Sequence, residues 1–377
     1  MVKINKEEIS LYFHIPFCSK KCSYCHFYVL PDKDPLKKQL MEGLKLEWEQ
    51  TAKILEGKQI VTIYFGGGTP SLLGAEAIGK ILEWVNKKNG NIEITLEANP
   101  ENITYQLMKE YADVGINRVS IGIQTLDNQL LKTLGRLHSG SKAIDAVHET
   151  YEAGIKNISV DLMYDLPNQN LMTWESSLRQ VVDLPITHLS LYNLTIEPHT
   201  VFFKHKNALE KLLPNEETSL QMYEMAIDLL SPKLAQYEIS AFSSLGKQSH
   251  HNVGYWIGRP FFGLGPSAFS YYQNKRFQNI ANLSRYHKLL LAKESPVDFL
   301  EELKPLSRLR ELLAINLRLI AGVDLMKFQT LHGNLDLETI KTLKQLEKDG
   351  FIARELDLIK LTKRGILFYD TVAVELI

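Results

Sequence analysis

The chain has three cysteines, and all fall within one short window: Cys18, Cys22 and Cys25, spaced C-x3-C-x2-C. An odd number with no distant partner is not a disulfide framework. Clustered thiols of this kind read as a metal site. Two metals compete for it. Zinc would need a fourth ligand, and His14 and His26 lie close by in sequence. An iron–sulfur cluster held wholly by protein takes four ligands, so three cysteines would leave one iron open to bind something else.

The elements that must position these thiols alternate along the first half of the chain. Apolar runs rich in β-branched and aromatic residues occur at 10–14, 60–65, 92–98, 118–124, 157–164 and 187–194. Amphipathic stretches at 35–56, 75–88, 104–113, 127–134, 141–153 and 173–183 separate them. Asp127 is placed to cap a helix start, and Gly115 and Gly154 to end helices just before the next strand. Six such units predict an α/β fold, a parallel sheet with helices outside it, and near-continuous apolar strands covered on both faces. We expect a curved, incomplete (β/α)6 barrel. The cysteine loop follows the first strand, at the C-terminal edge of the sheet, where active sites of parallel α/β barrels lie.

After about residue 200 the pattern changes. A helix is expected over 216–230, a short strand over 236–240, and a loop rich in Gly, Ser, His and aromatic residues over 243–266. Beyond Pro296 the order helix, helix, two-stranded wing, helix resembles a winged-helix module. This gives three parts: residues 1–200 as the barrel core, 201–295 as a connecting segment, and 296–377 as the C-terminal α+β module.

Composition bounds the partners. The 377 residues are 45% apolar and 23% charged, with a formal net charge of -1. Disorder is excluded, and no global basic field exists to attract nucleic acid. The mixed charge of the C-terminal module predicts a packing unit rather than a DNA reader. No run approaches a membrane span, and the apolar stretch 9–17 is broken by His14 and Pro16. The expectation is a cytoplasmic protein that does not itself span a membrane.

Other polar residues converge on the cysteine edge. Gly66-Gly67-Gly68-Thr69-Pro70 follows the second strand, and glycines there let backbone approach a ligand closely. Glu97 ends the third strand, Gln124 ends the fourth, Arg136 follows in Leu-Gly-Arg-Leu-His, and Asp161 lies in the fifth.

With Tyr24 just before the third cysteine, the spacing resembles that of the radical S-adenosylmethionine superfamily, over most of the chain. That resemblance implies a [4Fe-4S] cluster on Cys18, Cys22 and Cys25, with the open iron binding the amino and carboxylate groups of S-adenosylmethionine. It implies cofactor-binding positions at Tyr12, Tyr24, Gly67, Gly68, Thr69, Glu97, Gln124, Arg136 and Asp161. Glu97 and Gln124 would hydrogen-bond the amino group or ribose hydroxyls, and Arg136 would neutralise the carboxylate. Within the superfamily, Tyr12-Phe-His-Ile-Pro-Phe-Cys18, Phe65-Gly-Gly-Gly-Thr-Pro-Ser71, Glu97-Ala-Asn-Pro100, residues 161–169 and Tyr237-Glu-Ile-Ser240 resemble the branch of oxygen-independent coproporphyrinogen III oxidase. The oxidases carry a further Cys where this chain has Phe27, and an extension before the cluster motif, so decarboxylation of coproporphyrinogen is not expected. His251-Asn-Val-Gly-Tyr255-Trp256 instead resembles the signature of the branch's heme chaperones. That implies heme as a bound ligand, with His251 (or its neighbour His250) on the iron and Tyr255 and Trp256 against the porphyrin. It also implies recipient heme proteins, membrane respiratory enzymes among them, as partners.

Overall fold

The computed structural model describes residues 7–85 and 92–377. The last residues of the helix expected over 75–88 fall outside them.

Six strands alternate with helices: β1 (Glu8–Ile15), β2 (Gln59–Gly67), β3 (Glu93–Ala98), β4 (Arg118–Gln124), β5 (Asn157–Tyr164) and β6 (His188–Asn193). The helices are α1 (Asp34–Ile54), α2 (Ala75–Val85), α3 (Tyr105–Val114), α4 (Asn128–Leu134), α5 (Gly140–Glu152) and α6 (Leu171–Asp183). Local chemistry sets their starts. The side chains of Thr104, Asp127, Ser139 and Asn170 each accept from backbone N–H groups of the first turn of α3, α4, α5 and α6. Gly115, at the end of α3, has φ 105°, a conformation glycine reaches without steric cost.

Adjacent strands from β1 to β6 all pair in parallel. The sheet is open. The outer edge of β1 takes β9 (Phe261–Leu264), again in parallel, and the outer edge of β6 takes the antiparallel β8 (Ala241–Ser243), which carries β7 (Ala235–Glu238). A meander of β10 (Phe269–Tyr272), β11 (Lys275–Asn279) and β12 (Val297–Glu302) extends the β9 side. The full order is β12-β11-β10-β9-β1-β2-β3-β4-β5-β6-β8-β7. Every residue of β4 is buried, as a strand covered on both faces requires.

Residues after 200 share the core of the barrel. Met222 of α7 (Glu216–Leu230), Phe242 of β8, Leu264 of β9 and Tyr286 of α9 (Leu283–Leu291) join Leu11, Phe65 and Leu96 in one buried cluster. Glu47 of α1 fastens the added strands. Its buried carboxylate accepts from the Gly265 N–H at 2.7 Å, Asn279 Nδ2 at 2.6 Å and the Tyr286 hydroxyl at 2.6 Å.

Two expectations need correction. The stretch 243–266 is not a loop. It holds the end of β8, helix α8 (His250–Trp256) and strand β9, because Ser249 caps α8 and the Glu93 carboxylate accepts from the His250 and His251 N–H groups at 3.0 and 2.9 Å. The wing is three-stranded. β13 (Val323–Asp324) adds to β14 (Ile352–Glu355) and β15 (Leu358–Leu361), among α10 (Pro305–Asn316), α11 (Leu325–His332), α12 (Leu337–Lys348), α13 (Lys363–Leu367) and α14 (Tyr369–Leu376). This module has its own core, built on Leu313, Leu317, Ile359 and Val372.

Candidate functional site

The cysteine loop begins where β1 ends. Phe17–Cys18 pairs with Leu30–Pro31, and the Leu30 N–H donates to the Pro16 carbonyl at 2.6 Å, so the intervening residues form a closed excursion. Ser23 pins its middle. Its N–H donates to the Leu134 carbonyl, and its carbonyl accepts from the Phe202 N–H, both at 3.0 Å. Tyr24 anchors the loop in a small apolar cluster with Leu130, Leu134 and Phe202.

All three cysteines are free and partly exposed. Burial pushes the Cys18 thiol up to about 11 and raises that of Cys25, so a metal must displace protons to bind. Among the described residues no three His, Cys, Asp or Glu side chains converge as a single ion would need. A cubane has a different demand, because each thiolate takes a different iron. His14 is not available as a zinc ligand. Its Nδ1 pairs with the Tyr12 hydroxyl at 3.0 Å and its Nε2 with the Tyr28 carbonyl at 3.3 Å. Among the described residues His26 keeps its ring nitrogens free, and it is the lack of three converging ligands there that favours an iron–sulfur cluster over zinc.

Strand-end residues brace two of the thiols. Cys18 Sγ lies 3.6 Å from Thr69 Oγ1. Asn99 Nδ2 donates to that oxygen at 2.9 Å, while Asn99 Oδ1 accepts from Arg136 Nη2 at 2.8 Å. Arg136 Nη1 donates to Cys22 Sγ at 3.5 Å. The expected residues Thr69 and Arg136 are thus brought together with the cysteines. Asn99, which joins them, was not singled out by the sequence; its one signal was its place in the Glu-Ala-Asn-Pro strand end. Arg136 was expected to meet a carboxylate. Its Nη groups are instead engaged on Cys22, Asn99 and the Gly122 carbonyl, and its Nε is buried without a hydrogen-bond partner in the described structure. A buried, unpartnered cationic donor at the cysteine loop suits a carboxylate group of a bound cofactor.

The glycine turn presses on the start of the same loop. A Cβ on Gly68 would sit 2.6 Å from the Phe17 carbonyl oxygen, and one on Gly67 would strike the His14 ring at 2.7 Å. Glu97 accepts from the Gly67 N–H at 3.1 Å and the Tyr64 hydroxyl at 2.8 Å, and burial raises its carboxyl to about 7. Tyr12 stacks with Tyr64 at 6.2 Å between ring centres. Gln124 ends β4 with φ 68° at an irregular step in the β4–β5 ladder, an arrangement that turns the chain out of the sheet. Asp161 accepts from Ser120 Oγ at 3.2 Å, and burial raises its carboxyl.

The residues of the histidine motif have different surroundings. His251 is buried, with Nδ1 on Thr62 Oγ1 at 2.8 Å and Nε2 on the Tyr255 hydroxyl at 2.7 Å. Burial lowers its pKa to about 3, so the ring is neutral and both nitrogens are engaged. In this arrangement neither nitrogen offers a free lone pair. His250 is exposed and faces a separate cavity of about 380 Å³. Tyr255 and Trp256, by contrast, line a cavity of about 630 Å³ that also reaches His26 and Phe27, the residues directly after Cys25. Its walls are largely aromatic, with Tyr12, Tyr28, Phe261 and Phe269 from the barrel side and Leu312 and Ile315 from α10. Arg259, Arg276 and Arg308 line it as well.

Residues 12–181 match the model of the radical SAM superfamily, and residues 303–368 match that of the HemN C-terminal domain. The chain is 32% identical to a protein of Bacillus subtilis described as heme chaperone HemW, over 96% of this chain and 97% of that one. It is 35% identical to the protein of that description from Lactococcus lactis, over 85% and 84%. The solved structure of coproporphyrinogen III oxidase (HemN) from Escherichia coli superposes with a TM-score of 0.85 at 21% identity, covering 98% of this chain and 89% of that one, a likeness of fold.

Proposed function

The chain belongs to the HemW family of the radical SAM superfamily, and from that premise we propose that it is a heme chaperone. It binds heme in the aromatic cavity beside the cysteine loop and passes it to recipient heme proteins, membrane respiratory enzymes among them. The observation that carries this reading is the cavity itself. Its volume suits a large ligand. Flat aromatic faces suit a porphyrin plane, and arginines suit its carboxylates. No helix among the described residues is long and apolar enough to cross a membrane, and we place the protein in the cytoplasm. Residues 1–200 act as the cofactor barrel, 201–295 as the segment carrying the histidine motif, and 296–377 as the module that closes the cavity.

A radical SAM protein uses a [4Fe-4S] cluster and S-adenosylmethionine, which when bound supply one-electron chemistry. In this chain Cys18, Cys22 and Cys25 hold the cluster. Thr69, Asn99 and Arg136 brace its cysteines. Gly67 and Gly68 give the cofactor close access to backbone, and Glu97 and Gln124 face its polar groups. Tyr12, Tyr24 and Asp161 complete the surround. His251 acts on heme indirectly, by holding the Tyr255 hydroxyl so that the ring forms cavity wall.

The test is anaerobic. The cluster is reconstituted, heme is titrated spectroscopically, and a porphyrinogen turnover assay runs alongside. The expected result is stoichiometric heme, transfer to an apo heme protein, and no decarboxylated product. Turnover with weak heme binding would overturn the chaperone reading in favour of an oxidase.

A further inference from the structure

We infer that the cavity seats an iron porphyrin with His26 on the iron and Arg308 on a porphyrin carboxylate, so that the ligand bridges the barrel and the C-terminal module. This rests on the heme reading of the same cavity and assigns its two polar contacts.

Three histidines lie in or beside the site, and their hydrogen bonds separate them. His14 lines the cavity but both ring nitrogens are engaged. His251 does not line it, and its nitrogens are engaged as well. His26 lines the cavity, is exposed, and makes no ring hydrogen bond among the described residues; its contact is with the Phe27 ring, 4.5 Å between centres. Only a nitrogen lone pair not already accepting can bind iron without the protein first giving up a bond. An imidazole on a short, braced loop is also well placed, because the pairing of Cys18 with Pro31 fixes the loop's ends.

The three arginines separate in the same way. Arg276 is committed to Glu301 at 2.7 Å and Glu311 at 2.6 Å. Arg259 donates to the His250 carbonyl at 3.0 Å and lies 3.8 Å from a Glu8 carboxylate oxygen. Arg308 has no ion pair among the described residues. Its one hydrogen bond goes to the His332 carbonyl at 3.4 Å. It comes from α10 and so belongs to the C-terminal module, whereas His26 belongs to the barrel. A planar ligand with a metal at its centre and carboxylates at its edge answers both groups. An uncharged aromatic ligand answers neither. The module would then sense loading directly, since Arg308 meets the ligand's edge.

The experiment uses the full chain with its cluster reconstituted and three probes: hemin, hemin dimethyl ester and iron-free protoporphyrin IX. His26→Ala is expected to change the Soret band and weaken hemin by about tenfold or more, which is about 1.4 kcal/mol. It should leave protoporphyrin IX affinity unchanged, which also shows that the cavity is folded. Arg308→Gln is expected to weaken hemin by about tenfold, on the scale of one charge-assisted hydrogen bond. The loss should vanish with the dimethyl ester. An unchanged hemin spectrum in His26→Ala, or an equal loss of ester and acid in Arg308→Gln, would overturn the proposal while leaving the heme reading intact. Wild type that binds no hemin would overturn both.

Discussion

Arg136 donates to Cys22 Sγ at 3.5 Å while its other terminal nitrogen holds Asn99 and the Gly122 carbonyl, at 2.8 and 2.6 Å. One guanidinium thereby ties a cysteine of the loop to the ends of β3 and β4. The cation sits where thiolate charge develops on metal binding, and its rigid fork suits several acceptors at once.

Arg136→Gln should therefore weaken cluster retention more than it weakens the fold. Each charge-assisted hydrogen bond lost is worth about 1.5–3 kcal/mol. We expect faster iron loss to a chelator and a lower reduction potential, beside the lower apo-protein Tm that loss of the Asn99 and Gly122 bonds brings. Retention equal to wild type would show that the contact with Cys22 carries no cluster energy.

Gly68→Ala places a methyl group 2.6 Å from the Phe17 carbonyl, a backbone atom that cannot swing aside. The cost is expected at about 1–3 kcal/mol, as for overpacking elsewhere. Gly74 is the control. Its φ is 92°, but nothing lies within 4 Å of an added Cβ, so Gly74→Ala should cost about 1–2 kcal/mol from backbone strain alone. Thermal melts measure both, and only Gly68→Ala should also reduce cluster loading.

The pH dependence follows from the buried histidines. His251 is lowered to about 3 and His14 to about 4, each by burial. The unfolded chain takes up protons below its ordinary histidine pKa that the folded chain refuses. The stability from these groups is thus present above about pH 6.5 and is lost as pH falls toward their folded values. His251→Gln should flatten this slope between about pH 6.5 and about pH 4, by an amount on the order of a few kcal/mol. Urea midpoints of the cluster-free chain across that range provide the check; parallel slopes would refute it.

Arg318 links the C-terminal module to the sheet. Its guanidinium lies 4.4 Å from the Trp256 ring centre and 5.2 Å from that of Tyr369, and donates to Glu238 Oε2 at 3.2 Å and Ser240 Oγ at 2.9 Å. Arg318→Ala leaves the Glu238 carboxylate, which is buried, without this partner, at a cost of about 3 kcal/mol. We expect the module to become sensitive to limited proteolysis before the barrel does. Simultaneous cleavage of both parts would count against this.

The sequence by itself determined the cysteine loop, the six strand–helix units and most of their boundaries. These are local features. Thiol spacing, apolar runs and capping residues such as Asp127 act over a few residues and leave their mark in order. Even β4 and β5 follow from their runs, although Arg118 and Ser120 in β4 and Ser159 and Asp161 in β5 interrupt the apolar sequence. The meander after β9 left no such mark. Its strands are short, partly exposed and held by Glu47, more than two hundred positions away.

Tertiary structure alone decided which polar groups meet. Nothing in Glu-Ala-Asn-Pro says that Asn99 will join Thr69 to Arg136, and nothing in His-Asn-Val-Gly-Tyr-Trp says that the imidazole will turn inward. Helix α8 places His251 against Thr62 of β2, so its nitrogens are engaged, while Tyr255 and Trp256 line the cavity. Spacing gives the residue types available for chemistry. Only the packing of distant elements settles which of them keep a nitrogen or a charge unpaired, since hydrogen-bond partners are fixed by distances in space and not along the chain.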